Sequence, residues 1–257
     1  MIIFIFFITV WYASLFSQTF FQHRYAAHGA FTMSKGWERF FFIFAYITQG
    51  SSYMSPRAYA IMHRLHHAYT DTEKDPHSPA FSSNIFSMMW RTRRFYQDIF
   101  HERMEIENKY TKNVPEWQSF DSFANGKTSR RLWIILYVAF FIIYAHNIWL
   151  YLLLPVVMIM GAFHGAVINW FAHRYGYTNF RLKNTSMNLL SVDILMLGES
   201  YHNNHHKHPS SANFGHRWFE IDPIYPVIRL LDHLKVIKML RPAATGIETS
   251  PSITPVK

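Results

Sequence analysis

The 257 residues contain no cysteine. Disulfides, zinc knuckles, thiolate nucleophiles and cysteine-ligated iron–sulfur clusters are therefore excluded, and any metal must be held by nitrogen and oxygen. Acidic residues are scarce, 16 against 25 Lys and Arg, for a formal charge of +9. Such an excess points to nucleic acid or to an anionic membrane surface, and the placement of the cations decides between them. Charge of either sign is missing altogether from two long stretches. Residues 1–21 are about as long as a membrane-spanning helix must be, and without a basic start or a small-residue cleavage site they read as an uncleaved span rather than a signal peptide. Residues 132–172 are roughly twice one span, with a polar interruption at His146 and Asn147, and read as a helical hairpin. Pro155 falls near the start of its second arm, and Gly161 and Gly165 suit close helix packing.

What is present follows from what is missing there. Not one of the 25 Lys and Arg lies in either uncharged stretch; all fall in residues 22–131 or 173–257. Since cations mark the cytoplasmic side, both basic regions are expected there, with the N-terminus and the His146 turn outside. This accounts for the charge without nucleic acid. Residues 38–55 have an apolar first half that is too short to cross and read as a re-entrant or interfacial helix. Residues 225–240 place Val227, Leu230, Leu231, Leu234 and Ile237 on one face of an expected in-plane amphipathic helix. Residues 101–131 read as a polar connector and 241–257 as a flexible tail rich in Pro, Ser and Thr.

The histidines are the chemical signal. His63, His66 and His67 have the form HxxHH, and His202, His205 and His206 in HNNHH repeat it. On a helix, residues three and four apart lie about 5–6 Å from each other, close enough to share one metal ion or bridge two. His23 and His28 in HRYAAH follow the first span, while Asn169 and His173 close the last, so every cluster falls at one membrane interface. Nine imidazoles exceed the needs of a single ion, and two ions follow. Ligand type alone does not choose among Zn, Cu, Fe and Ni. The position beside apolar helices favours a substrate with a long hydrocarbon part, and attack on unreactive C–H bonds calls for a redox metal with dioxygen, which favours iron. Asp71, Asp75 and Glu199 are candidates to hold the outer nitrogens of ligating histidines, while the DTEKDP run reads equally as a helix end before Pro76. Trp11, Leu15, Thr19 and His23 recur every four residues on one helical face, with Trp11 and Leu15 placed to close the end of a pocket or to make ordinary packing contacts.

HRYAAH, HRLHH and HNNHH, with DTEKDPHSP after the second box and GES before the third, resemble the membrane fatty acid desaturases, particularly the Δ9 acyl-CoA (stearoyl-CoA) desaturase branch, over residues 12–240. The resemblance implies a di-iron centre held by His23, His28, His63, His66, His67, His173, His202, His205 and His206, with Asn169 joined through a water. It also implies O2-dependent removal of two hydrogens from a long-chain acyl group, most simply acyl-CoA, to give a cis double bond. Electrons would come from a separate ferredoxin or cytochrome b5 and its reductase, since no cytochrome module is recognisable. The chain departs from the pattern in offering one span before the first box instead of two, in HRYAAH for the usual HRLWSH, and in Asn204 where an aromatic is frequent. A di-iron hydroxylase and a non-catalytic metal-binding membrane protein are the other readings. The expected architecture is an all-α integral membrane protein, with spans at about 1–21, 131–146 and 148–172, re-entrant or interfacial helices, and a cytoplasmic helical cap, forming one domain over residues 1–240.

Overall fold

A computed structural model describes residues 1–240, and the tail expected at 241–257 lies outside the described residues. The chain opens with α1, Ile2–Ala27, α-helical over Ile2–Phe16 and π-helical over Ser17–Ala27. The span expected to stop at residue 21 therefore continues, because the polar residues that follow find partners inside the protein. Gln22 donates to Met54 O at 2.6 Å, and Arg24 pairs with Asp222 at 2.8 Å, both side chains fully buried.

Strand β1, Phe31–Met33, leads to α2, Lys35–Gln49, whose first turn is capped by Ser34. Helix α2 runs back along α1: Phe41 packs on Phe20, Phe44 on Phe16, and Thr48 bonds Ser17. It stops there, in a turn at Gly50–Ser52. Gly50 has φ +53°, and a Cβ at this position would land 1.8 Å from the Tyr137 hydroxyl, so the turn requires glycine. Helix α3, Pro56–Tyr69, then returns with Ser55 as its N-cap and Pro56 in its first turn.

After α4, Ile85–Phe100, the polar connector folds into two short helices, α5 (Asn108–Thr111) and α6 (Gln118–Ala124). Asp121 of α6 is buried and accepts from the Tyr53 hydroxyl and Ser55 Oγ, each at 2.7 Å. Burial pushes its pKa up to about 6. A carboxyl whose folded pKa exceeds its unfolded one stabilises fully below the unfolded value and loses that contribution as pH rises through about 6. Asp121→Asn is thus expected to raise stability at pH 7.5 by up to about 3 kcal/mol, with the gain vanishing toward pH 4. Thermal unfolding of the two proteins across that range measures it, and a pH-independent difference would contradict this account.

Helix α7, Lys127–Tyr144, was expected to span the membrane, but Lys127, Arg130 and Arg131 occupy its first turns. Its uncharged part, residues 132–144, is about 20 Å long, short of a bilayer's hydrocarbon thickness. The second arm of the expected hairpin is broken. A 3₁₀ segment, Ile148–Leu152, runs into α8, Leu153–Met158, and α9, Met160–Ala166, continues as a π-helix to Phe171 after a bend of 78°. Pro155 is absorbed within α8, and the bend comes at Ile159 because side chains replace helical hydrogen bonds there. Ser51 Oγ donates to Met158 O at 2.7 Å, Ser52 Oγ accepts from Gly161 N at 3.0 Å, and Gln18 donates to Gly161 O at 3.3 Å. Among the described residues, then, one helix is long and apolar enough to cross a membrane, or two if the bent pair counts as one span.

Over residues 173–240 the chain is mostly irregular, apart from α10, His202–Lys207, α11, Ile224–His233, and one short strand. The amphipathic helix expected to reach residue 240 ends early, because Lys235 takes a left-handed φ of +58° and Val236 N bonds back to Leu231 O. Ile237 instead opens strand β2, Ile237–Met239, which pairs antiparallel with β1. Ile224 and Ile228 of α11 are buried, while Leu230 and Leu234, on the expected apolar face, are exposed. The largest core cluster packs Phe20, Phe21, Phe31, Phe41, Phe42 and Ile228 between α1, α2 and α11.

Candidate metal centre

The π-helical half of α1 explains a spacing that an α-helix does not. Backbone bonds in a π-helix run from i+5 to i, and His28 N bonds His23 O at 3.1 Å. His23 and His28, five apart, therefore lie one turn apart on a common face, with ring centroids separated by 5.0 Å. Arg64 of the second box anchors α3 to this end of α1, donating to Ala27 O at 2.7 Å and Ala26 O at 3.0 Å.

The two HxxHH boxes cross. From α3, His63 and His67 turn toward His23 and His28, while His66 turns the other way; from α10, His202 and His206 join His66, while His205 joins the first set. The first group is closed by Nε2 separations of 2.9 Å for His23–His63, 3.0 Å for His23–His205, 3.0 Å for His67–His63 and 2.8 Å for His67–His205. In the second, His66–His206 is 3.2 Å, His173–His202 3.0 Å and His206–His202 3.1 Å. The ligating atoms of His23, His28, His63 and His205 lie within 4.8 Å of one another, as do those of His66, His173, His202 and His206.

Outer contacts fix the tautomers. Glu199 Oε2 sits 2.6 Å from His23 Nδ1, and Glu199 is itself held by the Thr19 hydroxyl. Asp75 Oδ1 lies 2.9 Å from His66 Nδ1, and Thr185 Oγ1 3.1 Å from His173 Nδ1, with Asp71 behind it. Each keeps its proton on Nδ1 and leaves the Nε2 lone pair facing inward. Burial, and after it the neighbouring imidazoles, pushes the pKa values of His63, His67, His202, His205 and His206 well below the ordinary histidine value. Neutral rings crowding their lone pairs together repel one another, and a cation at each focus converts that repulsion into binding; the residues fit two metal ions. His28 Nε2 is likewise buried without a hydrogen-bond partner in the structure.

A cavity of about 630 Å³ abuts both groups. Leu15, Met54, Met62, Met158, Ile168 and Met196 give it apolar walls; His23, His63, His202, Glu199 and Asn169 form its metal side, and Arg93 and Arg130 also line it.

The family model described as fatty acid desaturase matches residues 1–239. The chain belongs to the fatty acid desaturase family. Among its relatives, the Delta-9 desaturase-like 5 protein of Arabidopsis thaliana is 30% identical over 231 residues, 85% of this chain and 70% of that protein. An acyl-CoA 5-desaturase of Anemone leveillei is 29% identical over 86% of this chain and 65% of its own. The sn-1 stearoyl-lipid 9-desaturase of Synechocystis sp. is 28% identical, covering 85% and 65%. As a fatty acid desaturase the protein is an oxidoreductase, its metal-capable histidines agree with a di-iron family, and its substrate carries a fatty acyl chain.

All nine histidines singled out in this desaturase thus meet in two groups, and Asn169 lines the adjoining cavity one turn before His173. Leu15 also lines the cavity. Trp11 stands behind the wall, its ring edge-on to His164 at 4.7 Å, and Thr19 reaches the site only through Glu199. The DTEKDP run serves both readings: α3 ends at Tyr69, and Asp75 accepts from Asp71 N and His77 N while holding His66. Gly161 packs on Ser52 as its spacing suggested, whereas Gly165 faces the cavity. Asn204 is a buried polar hub, donating to Phe214 O and Glu220 and accepting from Asn179 and Asn188. One residue was missed. His77 is buried, lines the cavity and packs on His66 with centroids 4.2 Å apart, and only its place in DPHSP, directly after the second box, hinted at this.

Proposed function

We propose that this desaturase, acting as one domain over residues 1–240, inserts a cis double bond at the Δ9 position of a long-chain acyl group carried as acyl-CoA. The observation that carries the reading is the convergence of nine histidines in two groups beside an apolar cavity. His23, His28, His63, His67 and His205 would hold one iron, and His66, His173, His202 and His206 the other, with Asn169 assisting through a water. Two irons so bound supply O2 activation with electrons from a separate donor, a ferredoxin or cytochrome b5 with its reductase. The protein's own groups then do the positioning. Leu15, Met62, Ile168 and Met196 exclude water and confine the acyl chain, so distance from the head group selects the carbon attacked. Asp75 and Glu199 keep His66 and His23 in one orientation. Arg93 on the same cavity suits an anionic carrier, whereas the Arg130 guanidinium is spent on Ser51 O, Tyr53 O and Asn125. The confinement of Lys and Arg to residues 22–131 and 173–257 supports a cytoplasmic active face with the N-terminus outside.

Expression in an O2-grown host lacking its own desaturase, with donor supplied, is expected to yield a new cis-monoene in total fatty acids. Mass spectrometric mapping of the double bond reads the position. Hydroxy acids in place of monoenes would replace desaturation with hydroxylation, and an unchanged profile from iron-loaded protein would defeat the acyl-CoA reading.

A further inference from the structure

His77 stands against the two histidine groups without belonging to either. The Asp75 carboxylate, which holds His66 Nδ1 at 2.9 Å, also accepts from His77 N at 3.0 Å. One carboxylate thus fixes both the ligating ring and the backbone of its neighbour. The two rings pack together, with centroids 4.2 Å apart and planes 37° from parallel, and His77 is 2% exposed.

A polar side chain buried so completely ordinarily has its hydrogen-bonding atoms engaged, because leaving them unpaired is costly. Here neither is. Nδ1 and Nε2 of His77 both lack a hydrogen-bond partner among the described residues. Asp75 does not supply one, since its oxygens take His66 Nδ1, Asp71 N and His77 N. What His77 does border is the acyl cavity, along with His202 of the second group and Asn169. That group gathers four histidines, His66, His173, His202 and His206, against five in the first, so it is the group with a place for a ligand atom from outside the protein. A neutral imidazole brings one N–H and one lone pair to such a place, which suits water or a small anion.

We propose that His77 anchors a small-ligand subsite in the cavity beside the second group, donating a hydrogen bond from its ring to a water molecule or small anion there. The proposal rests on the two-metal reading of the histidines and not on the acyl carrier. Its test is azide titration of the purified full chain, loaded with iron and oxidised, followed by absorption, with iron per chain measured in the same samples. His77→Phe keeps a flat ring against His66 and removes both nitrogens, His77→Leu is a second apolar variant, and His77→Gln restores a donor. The apolar variants are expected to keep the parental iron content and to bind azide about ten- to a hundredfold more weakly, the usual effect of losing a hydrogen bond to a charged partner. His77→Gln should recover most of that affinity. Parental azide affinity in a folded apolar variant overturns the proposal, as does a parent that loads iron and binds no azide. Equally weak binding in His77→Gln also overturns it, by making ring packing the cause. Iron loss or misfolding in both apolar variants does the same, since His77 would then hold the metal or the fold. A parent that takes up no iron fails the metal reading itself, and this proposal with it.

Discussion

His66→Ala is expected to abolish the monoene product and to leave at least one of the two metal positions empty. His66 is fully buried, turns Nε2 into the second group at 3.2 Å from His206, and is gripped at Nδ1 by Asp75. No other histidine of that group can take its place, since His173, His202 and His206 are each already committed to the same focus. The loss should exceed the roughly 10–100-fold cost of removing an outer hydrogen-bond partner of a ligand. Iron per chain in purified protein, measured with product formation in the expression host, tests both halves of the claim. His146→Ala, in the exposed turn before Ile148, should change neither. Two irons per chain and near-parental product from His66→Ala would remove the histidine assignment.

Asp222→Ala should destabilise the fold by about 3–5 kcal/mol, the usual cost of stranding a buried charge. Arg24 and Asp222 are each fully buried in side chain and pair at 2.8 Å, with the guanidinium 4.0 Å from the Phe214 ring centre. Asp222 also accepts from Phe214 N and Ile224 N, so its loss strands two backbone donors as well. The contrast is Asp98→Ala, which breaks a half-exposed pair with Arg103 and should cost less than about 1 kcal/mol. Thermal unfolding in one detergent compares the two, and equal shifts would show that burial of the Arg24 pair carries no special weight.

The histidine pattern was readable because metal ligation depends on few residues at fixed helical spacing, and HxxHH survives any detail of the surrounding fold. Family resemblance extended this to His173 and Asn169, which lie far from either box in sequence. What could not be read was decided by tertiary contact. The π-helix that aligns His23 with His28 has no signature in HRYAAH alone. The bend at Ile159 depends on Ser51, Ser52 and Gln18, more than 100 residues away. The early end of α11 depends on a strand pairing with β1, on the far side of the sequence. The uncharged run after residue 131 overrated α7, whose cations intrude into the helix itself.

The crossed division of the two boxes has a further consequence. Because α3 and α10 each contribute to both foci, seating one ion draws together the same helices that must close around the other. Loading should therefore be cooperative: titrated with iron, the protein would pass from empty to doubly filled with little singly occupied species between, and a chelator would strip the pair as a unit.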